Sequence, residues 1–163
     1  MKQLKEYLPH FLVLLAFAII SIAYMNPLLE GKQLLQSDIV HFKGMSKDIK
    51  DFRAEYDEEP LWTQGMFCGM PAYQISVLYP NNWSKTILKI LNLGIPRPAN
   101  YLFLLMAGAY FMFVVLRINW KLALVGAIGF GVASYTFLIL EAGHNSKAHA
   151  MVFMMPILGS ILL

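Results

Sequence analysis

The chain has 163 residues, of which 58% are hydrophobic and only 14% are charged, and its mean hydropathy is +0.54. Soluble domains usually carry about 25% charged residues, so the composition favours an integral membrane protein. The formal net charge of +3 does not indicate nucleic-acid binding, because Lys and Arg beside apolar runs are explained by membrane topology. The single cysteine excludes an intramolecular disulfide and a cysteine-based zinc site.

Four apolar runs predict membrane-spanning helices. The predicted spans cover residues 8–28, 99–116, 122–140 and 149–163, and the fourth is shorter than the roughly 20 residues that cross a bilayer. We therefore expect an all-α, polytopic membrane protein, of which residues 1–163 form the N-terminal part of a single membrane domain. Its expected partners are membrane lipids and the remaining transmembrane helices of the full-length protein, and not nucleic acid.

The first apolar run has two interpretations. Ser21-Ile22-Ala23 resembles the small-x-small cleavage site of a secretory signal peptide. However, the run continues past Ala23, and further spans follow. We therefore predict a helix that is retained, with a cleaved signal peptide as the alternative.

Basic residues in the short flanks of the spans predict the orientation. These residues are Lys2, Lys5, Arg117 and Lys121. Because short cytoplasmic segments carry an excess of Lys and Arg, the N-terminus and the turn after the second span are predicted to be cytoplasmic. The long loop over residues 30–98 and the short loop over residues 141–149 then both lie outside.

Two amphipathic surface helices are predicted in the long loop. Residues 37–53 place apolar side chains at helical spacing, with Ser37 as the N-cap and Asp38 at the positive end of the helix dipole. The acidic run Glu55–Glu59, followed by Pro60, ends this helix. We interpret the acidic side chains of this run as a solvated face. A second helix is predicted over residues 83–93, and the aperiodic stretch between the two helices is predicted to be an ordered loop.

Three residues of the two loops have side chains suited to chemistry. Asp38 is either a general base or metal ligand, or only part of a helix cap. Glu141 abuts the third span and His144 follows three residues later. A carboxylate with imidazoles holds a divalent metal ion or grips a phosphate. The alternative is a polar turn between helices with an ordinary acid and histidine.

Aromatic residues of the long loop offer a second kind of contact. Trp62 and Tyr73, like Phe67 and Trp83, have rings that can stack on sugars. Aromatic side chains also collect at membrane interfaces, and we favour that interpretation. Trp62 and Tyr73 are kept as candidates for substrate binding.

Three parts of the sequence together resemble the YfhO-like family of bacterial membrane proteins. They are Ser37-Asp38-Ile39-Val40-His41-Phe42-Lys43-Gly44-Met45, then Glu59-Pro60-Leu61-Trp62 with Gly69-Met70-Pro71-Ala72-Tyr73-Gln74, and then Glu141-Ala142-Gly143-His144-Asn145-Ser146-Lys147. The resemblance covers nearly the whole chain in this order. Cys68 departs from the pattern, since a second glycine is expected beside Gly69. The resemblance implies a multi-pass protein of the bacterial cytoplasmic (inner) membrane.

The family is similar in layout to GT-C glycosyltransferases, which use lipid-phosphate-linked sugar donors. By position, the resemblance makes Asp38 the candidate catalytic base or metal ligand. It makes Glu141 and His144 candidates for binding a divalent metal ion or the donor phosphate, and it brings Lys147 to the phosphate. The implied function is transfer of a sugar from a polyprenyl-phosphate donor to an extracytoplasmic acceptor.

Two other functions fit the same sequence. A transporter or flippase of lipid-linked material should carry ionisable residues near the middle of its spans, and the predicted spans have none there. A non-catalytic scaffold for envelope assembly would tolerate mutation of both acidic loops. The absence of ionisable residues at mid-span favours the enzyme.

Overall fold

The computed structural model describes residues 2–163 and is mostly helical. The described helices are α1 (Lys2–Tyr24), α2 (Ser37–Met45), α3 (Lys47–Tyr56), α4 (Ser84–Leu91), α5 (Ala99–Val115), α6 (Trp120–Gly131), α7 (Ser134–Ala142) and α8 (Asn145–Ile161). Two short strands, β1 (Trp62–Thr63) and β2 (Met70–Pro71), pair antiparallel. The predicted all-α class is confirmed.

Helices α1 and α5 to α8 form a bundle with α5 at its centre. The sequence of α5 is apolar on every side, which is typical of a helix that is surrounded by others. It contacts α6, α8 and α1. The core of the bundle includes Phe17 from α1, Leu102 and Met106 from α5, Ala127 from α6 and Val152 from α8.

Small residues set the distances between these helices. A Cβ atom at Gly108 of α5 would lie 2.9 Å from the backbone carbonyl oxygen of Val152 in α8. A Cβ atom at Gly131 of α6 would overlap the side chain of Met106. Glycine at these positions therefore lets the helix backbones approach closely.

The structure supports the membrane predictions in part. Within residues 2–163, only Glu6–Tyr24 of α1 is by itself long and apolar enough to cross a membrane. The predicted third span consists of two helices, α6 and α7, which meet the same criteria together but are bent by 43° at a break. Helix α5 is apolar but shorter. An apolar helix near the N-terminus favours membrane association, and a signal sequence would meet the same criteria.

The surface helix predicted over residues 37–53 is divided. Helix α2 ends at Met45 and α3 begins at Lys47, with the buried Ser46 between them. The N-cap of α2 is Gln36 and not Ser37, and no side chain caps this end. Ser37 instead donates a hydrogen bond to the carbonyl oxygen of Ala142 at 3.3 Å. Helix α4 confirms the second predicted surface helix.

The acidic run at the end of α3 (Glu55–Glu59) is more than a solvated face. Arg53, near the end of α3, donates hydrogen bonds from Nε and Nη2 to Oε2 of Glu59 at 3.0 and 2.7 Å. The same guanidinium also donates to the hydroxyl and carbonyl oxygens of Ser76. Because the Arg53 side chain is only 13% exposed, this network holds the segment after α3 against the helix.

The hairpin of β1 and β2 is attached to α3 through Asp48. The hydroxyl of Thr63 donates a hydrogen bond to the Asp48 carboxylate and accepts one from the Gly65 N–H at 3.2 Å. The hydrogen bond from Thr63 holds the pKa of Asp48 below its ordinary value. The turn between the strands has positive φ angles at Phe67, Cys68 and Gly69 of 50°, 60° and 119°.

Candidate functional site

Four helix ends meet at one end of the bundle. Met25 after α1, Tyr101 of α5, Leu140 of α7 and Ala148 of α8 pack in one apolar cluster. Helix α2 contacts α7 at the same place. The start of α2 and the turn between α7 and α8 are therefore held side by side.

Gln36 and Gly143 determine how closely these two segments approach. The side-chain amide of Gln36 donates to the carbonyl oxygen of Leu140 at 2.5 Å, and it pairs with the amide of Asn145 at 3.4 Å. Gly143 ends α7 with φ +96°, and a Cβ atom there would lie 3.0 Å from Cβ of Gln36 and 3.3 Å from Cβ of Asp38. A positive φ and this close approach both favour glycine.

Asp38 and His144 form the central contact of the candidate site. Oδ2 of Asp38 lies 2.7 Å from Nδ1 of His144, and the side chains are 43% and 51% exposed. With a proton on Nδ1, the imidazole donates a hydrogen bond to the carboxylate. Its other ring nitrogen, Nε2, is then free to interact with other groups. Asp38 of the long loop is therefore in contact with His144 of the short loop, and the chemical role of Asp38 stays a prediction.

An open groove of about 420 Å³ borders this pair. It is lined by Asp38, Ile39, Phe42, Gly143, His144, Asn145, Ser146 and Lys147. The ammonium group of Lys147 lies 5.0 Å from the ring centroid of Tyr135, which is a cation–π contact. Asp38 also lines a second groove of about 780 Å³, which extends along α2 to Gly65 and Met66. The carboxylate therefore borders both grooves.

Glu141 is not brought to this pair. It is exposed in the last turn of α7 and does not line the groove that Asp38 and His144 share. The turn at Gly143 separates it from His144, which faces α2. Across residues 2–163, no three His, Cys, Asp or Glu side chains are grouped so that they would hold a metal ion. The assignment of Asp38, Glu141 and His144 to a metal ion stays a prediction.

Trp62 and Tyr73 lie on the hairpin side of the loop. Their side chains are 54% and 64% exposed, and neither lines the two grooves beside Asp38. The ring of Trp62 covers the backbone at Gly69, where a Cβ atom would lie 2.5 Å from Nε1. Trp62 is therefore fixed to the turn, apart from the Asp38–His144 pair.

Sequence reasoning missed Gln36 and Asn145. Both are directly adjacent to candidate segments, Gln36 before Ser37 and Asn145 after His144. Their role is to join the two segments, and a contact between residues so far apart in sequence leaves no mark in local spacing. The only signal in the sequence is that each residue lies directly beside a polar candidate residue.

Comparisons with known proteins do not assign a family. The chain matches no family model, no curated protein and no solved structure. The resemblance to the YfhO-like family therefore rests on the three parts of the sequence described above. Two of them, those that contain Asp38 and His144, are in contact in the structure.

Proposed function

We propose that this chain belongs to a YfhO-like membrane glycosyltransferase, which transfers a sugar from a polyprenyl-phosphate donor to an extracytoplasmic acceptor. The observation that carries the proposal is the 2.7 Å contact between Asp38 and His144. It joins the two segments that the family resemblance assigns to the site. The pair is half-exposed beside an open groove, so a substrate can reach it.

The proposed setting is the bacterial inner membrane, with α1, α5, the bent α6–α7 pair and α8 as spans. The outward surface of α1 supports this setting, because large apolar side chains are exposed along the helix. They include Leu8, Phe11, Leu12, Leu15 and Ile19. A continuous apolar surface of this kind needs lipid or another protein to cover it. With a cytoplasmic N-terminus, Asp38 and His144 lie at the outer end of the bundle.

Cysteine labelling tests this orientation. Cysteines at Glu58 and Ser146, in a Cys68→Ser background, should react with a membrane-impermeant maleimide in intact cells. A cysteine at Asn119, in the turn at the other end of the bundle, should react only after the membrane is opened. Labelling of Glu58 and Ser146 from opposite sides would contradict a shared outer site.

The proposed reaction uses the carboxylate of Asp38 as a base. His144 occupies Oδ2, which leaves Oδ1 to accept the proton of an acceptor hydroxyl. The hydroxyl oxygen then bonds to the anomeric carbon of the sugar. The bond from that carbon to the phosphate oxygen breaks, and the electron pair leaves with the lipid phosphate. The ammonium of Lys147, which lines the same groove, stabilises the negative charge on the phosphate in this proposal.

Asp38→Asn is the direct test of this function. The substitution keeps the size of the side chain and removes its charge and basicity. In membranes that contain the full-length protein, we expect sugar transfer to fall about 100-fold or more. The matched control is Asp51→Asn, an exposed acid of α3, which should transfer at the wild-type rate. Wild-type transfer by Asp38→Asn at equal expression would contradict the proposal.

A transporter of lipid-linked material is the second candidate, and one polar contact inside the bundle bears on it without favouring it. Nδ1 of His10 in α1 lies 2.7 Å from the hydroxyl oxygen of Tyr110 in α5. His10 is close to the N-terminal end of α1, which is not where a midplane substrate site is expected. Loss of lipid translocation in His10→Phe, with normal translocation in Asp38→Asn, would favour the transporter.

A further inference from the structure

A third groove at the same end of the bundle is lined by cations. It measures about 530 Å³ and lies between α4 and the first turns of α5 and α8. Lys85, Lys89 and Arg97 contribute to its lining, together with His149 and Ser146. No Asp or Glu is among the residues that line it. The groove therefore collects positive charge without a compensating acid.

These cations are not neutralised by ion pairs elsewhere in the described chain. Over residues 6–163, the ion pairs within 4.0 Å involve other residues, and none includes Lys85, Lys89 or Arg97. Lys85 donates a hydrogen bond to the carbonyl oxygen of Tyr79 at 3.1 Å. A group of cations without acids attracts an anion, and a guanidinium suits the oxygen pairs of a phosphate.

Helix α4 has a second, apolar surface beside this groove. Lys85 and Lys89 are four residues apart and share one face of the helix. On another face, Ile87 and Ile90 are 42% and 67% exposed, and Trp83 just before the helix is 73% exposed. A short helix with basic and apolar faces and a flanking tryptophan is typical of a helix that lies in a membrane interface.

The start of α8 adds a favourable dipole to the groove. Ser146 lies in the first turn of α8, and the N-terminal end of a helix carries partial positive charge. An anion beside Lys89 and Arg97 would therefore also face the positive end of a long helix. The helix dipole adds to the positive charge of the three cations, which are the main attraction for an anion.

We propose that this groove binds the phosphate group of an anionic membrane lipid, whose acyl chains lie beside the apolar face of α4. Arg97 binds two phosphate oxygens, and Lys85 and Lys89 add point charges. The groove adjoins the Asp38–His144 groove at Ser146. Lipid binding does not require sugar transfer, so the two proposals can fail separately.

Thermal unfolding of the purified full-length protein in neutral detergent tests the proposal. Phosphatidylglycerol, phosphatidylcholine and inorganic phosphate are titrated separately. We expect phosphatidylglycerol to raise the Tm, with little effect from the other two. Each cation beside an anionic lipid surface contributes about fivefold in affinity, so Lys89→Gln/Arg97→Gln should bind phosphatidylglycerol about 25-fold more weakly.

The matched control is Lys47→Gln/Lys50→Gln, which removes the same charge from α3 and should bind phosphatidylglycerol like the wild type. Because Arg97 precedes the central helix α5, the exposed single variant Lys89→Gln guards against a folding defect, with an expected loss of about fivefold. Equal binding by Lys89→Gln and the wild type would overturn the proposal. An equal response to phosphatidylcholine, or to inorganic phosphate, would overturn the assignment to an anionic lipid.

Discussion

The helix bundle and the segment between α1 and α5 are held together by different interactions. The bundle core consists of apolar side chains and closely packed small residues. In the segment over residues 30–98, the buried apolar side chains are Ile49, Ala72 and Pro98. Polar contacts from Gln36, Asp48 and Arg53 fix the chain there. Changes in the bundle should therefore alter global stability, whereas changes in the segment should alter how the loop is positioned.

The largest effect on stability is expected in the bundle. Gly108→Ala places a Cβ atom 2.9 Å from the Val152 carbonyl oxygen, a backbone atom that cannot rotate away. We expect a loss of about 1–3 kcal/mol in the free energy of unfolding. Denaturant unfolding in detergent measures it.

Gly129→Ala is the control for Gly108→Ala. Apart from the neighbouring residues and backbone of its own helix, no atom lies within 4 Å of a Cβ atom built at Gly129. There alanine should stabilise by about 0.5–1 kcal/mol, because it restricts the unfolded chain more than glycine does. Similar effects of the two substitutions would show that close contact of α5 and α8 does not limit stability.

A smaller effect is expected at the turn of the hairpin. Cys68 has φ +60°, a left-handed conformation that costs a residue with a Cβ atom about 1 kcal/mol or more. Cys68→Gly should therefore slow hydrogen exchange at Thr63 and Met70 by about fivefold. Cys68→Ala retains the Cβ atom and should give no such gain. Faster exchange in Cys68→Gly than in the wild type would show that the turn is not strained.

The smallest effect is a dependence of the hairpin on acidic pH. The pKa of Asp48 is lower in the folded chain than its ordinary value of 3.8 because Thr63 donates to its carboxylate. Ionised Asp48 therefore contributes stability above that pH, and the contribution is lost as the pH falls through the lower, folded-state pKa. Hydrogen exchange at Thr63 should accelerate beyond its intrinsic pH dependence as the pH falls from about 5 to about 2.5.

Asp48→Asn should lack this acceleration, because its side chain has no proton to gain. Asp57→Asn is the control, since Asp57 is exposed after α3 and asparagine tolerates its positive φ. The control should keep the wild-type pH profile. A wild-type profile in Asp48→Asn would assign the acid sensitivity to another group.

Much of the helical architecture could be predicted from the sequence, and its interruptions could not. The apolar runs locate α1, α5 and α8 because burial and lipid contact both need apolar side chains. The break between α6 and α7 and the division at Ser46 lie inside runs of continuous helical pattern. Periodicity reports which face is apolar, and it does not report where tertiary contacts bend a helix.

For the candidate site, the sequence predicts which residues contribute, but not how they are arranged. Asp38 and His144 are found in the two expected loops, and the order of the apolar runs places those loops together. Glu141 does not line the groove beside Asp38 and His144 because of the turn at Gly143. The pairing of Arg53 with Glu59 depends on how the chain folds back after α3. These arrangements are set by tertiary contacts, which spacing does not encode.

A double-mutant cycle tests the central claim, that Asp38 and His144 act as one unit in sugar transfer. Transfer rates are measured for Asp38→Asn, His144→Gln and the double variant in membranes with equal amounts of full-length protein. Residues that act together lose most of their effect at the first substitution. The double variant should therefore transfer about as slowly as the slower single variant. Losses that multiply, or a wild-type rate in either single variant, would contradict the claim.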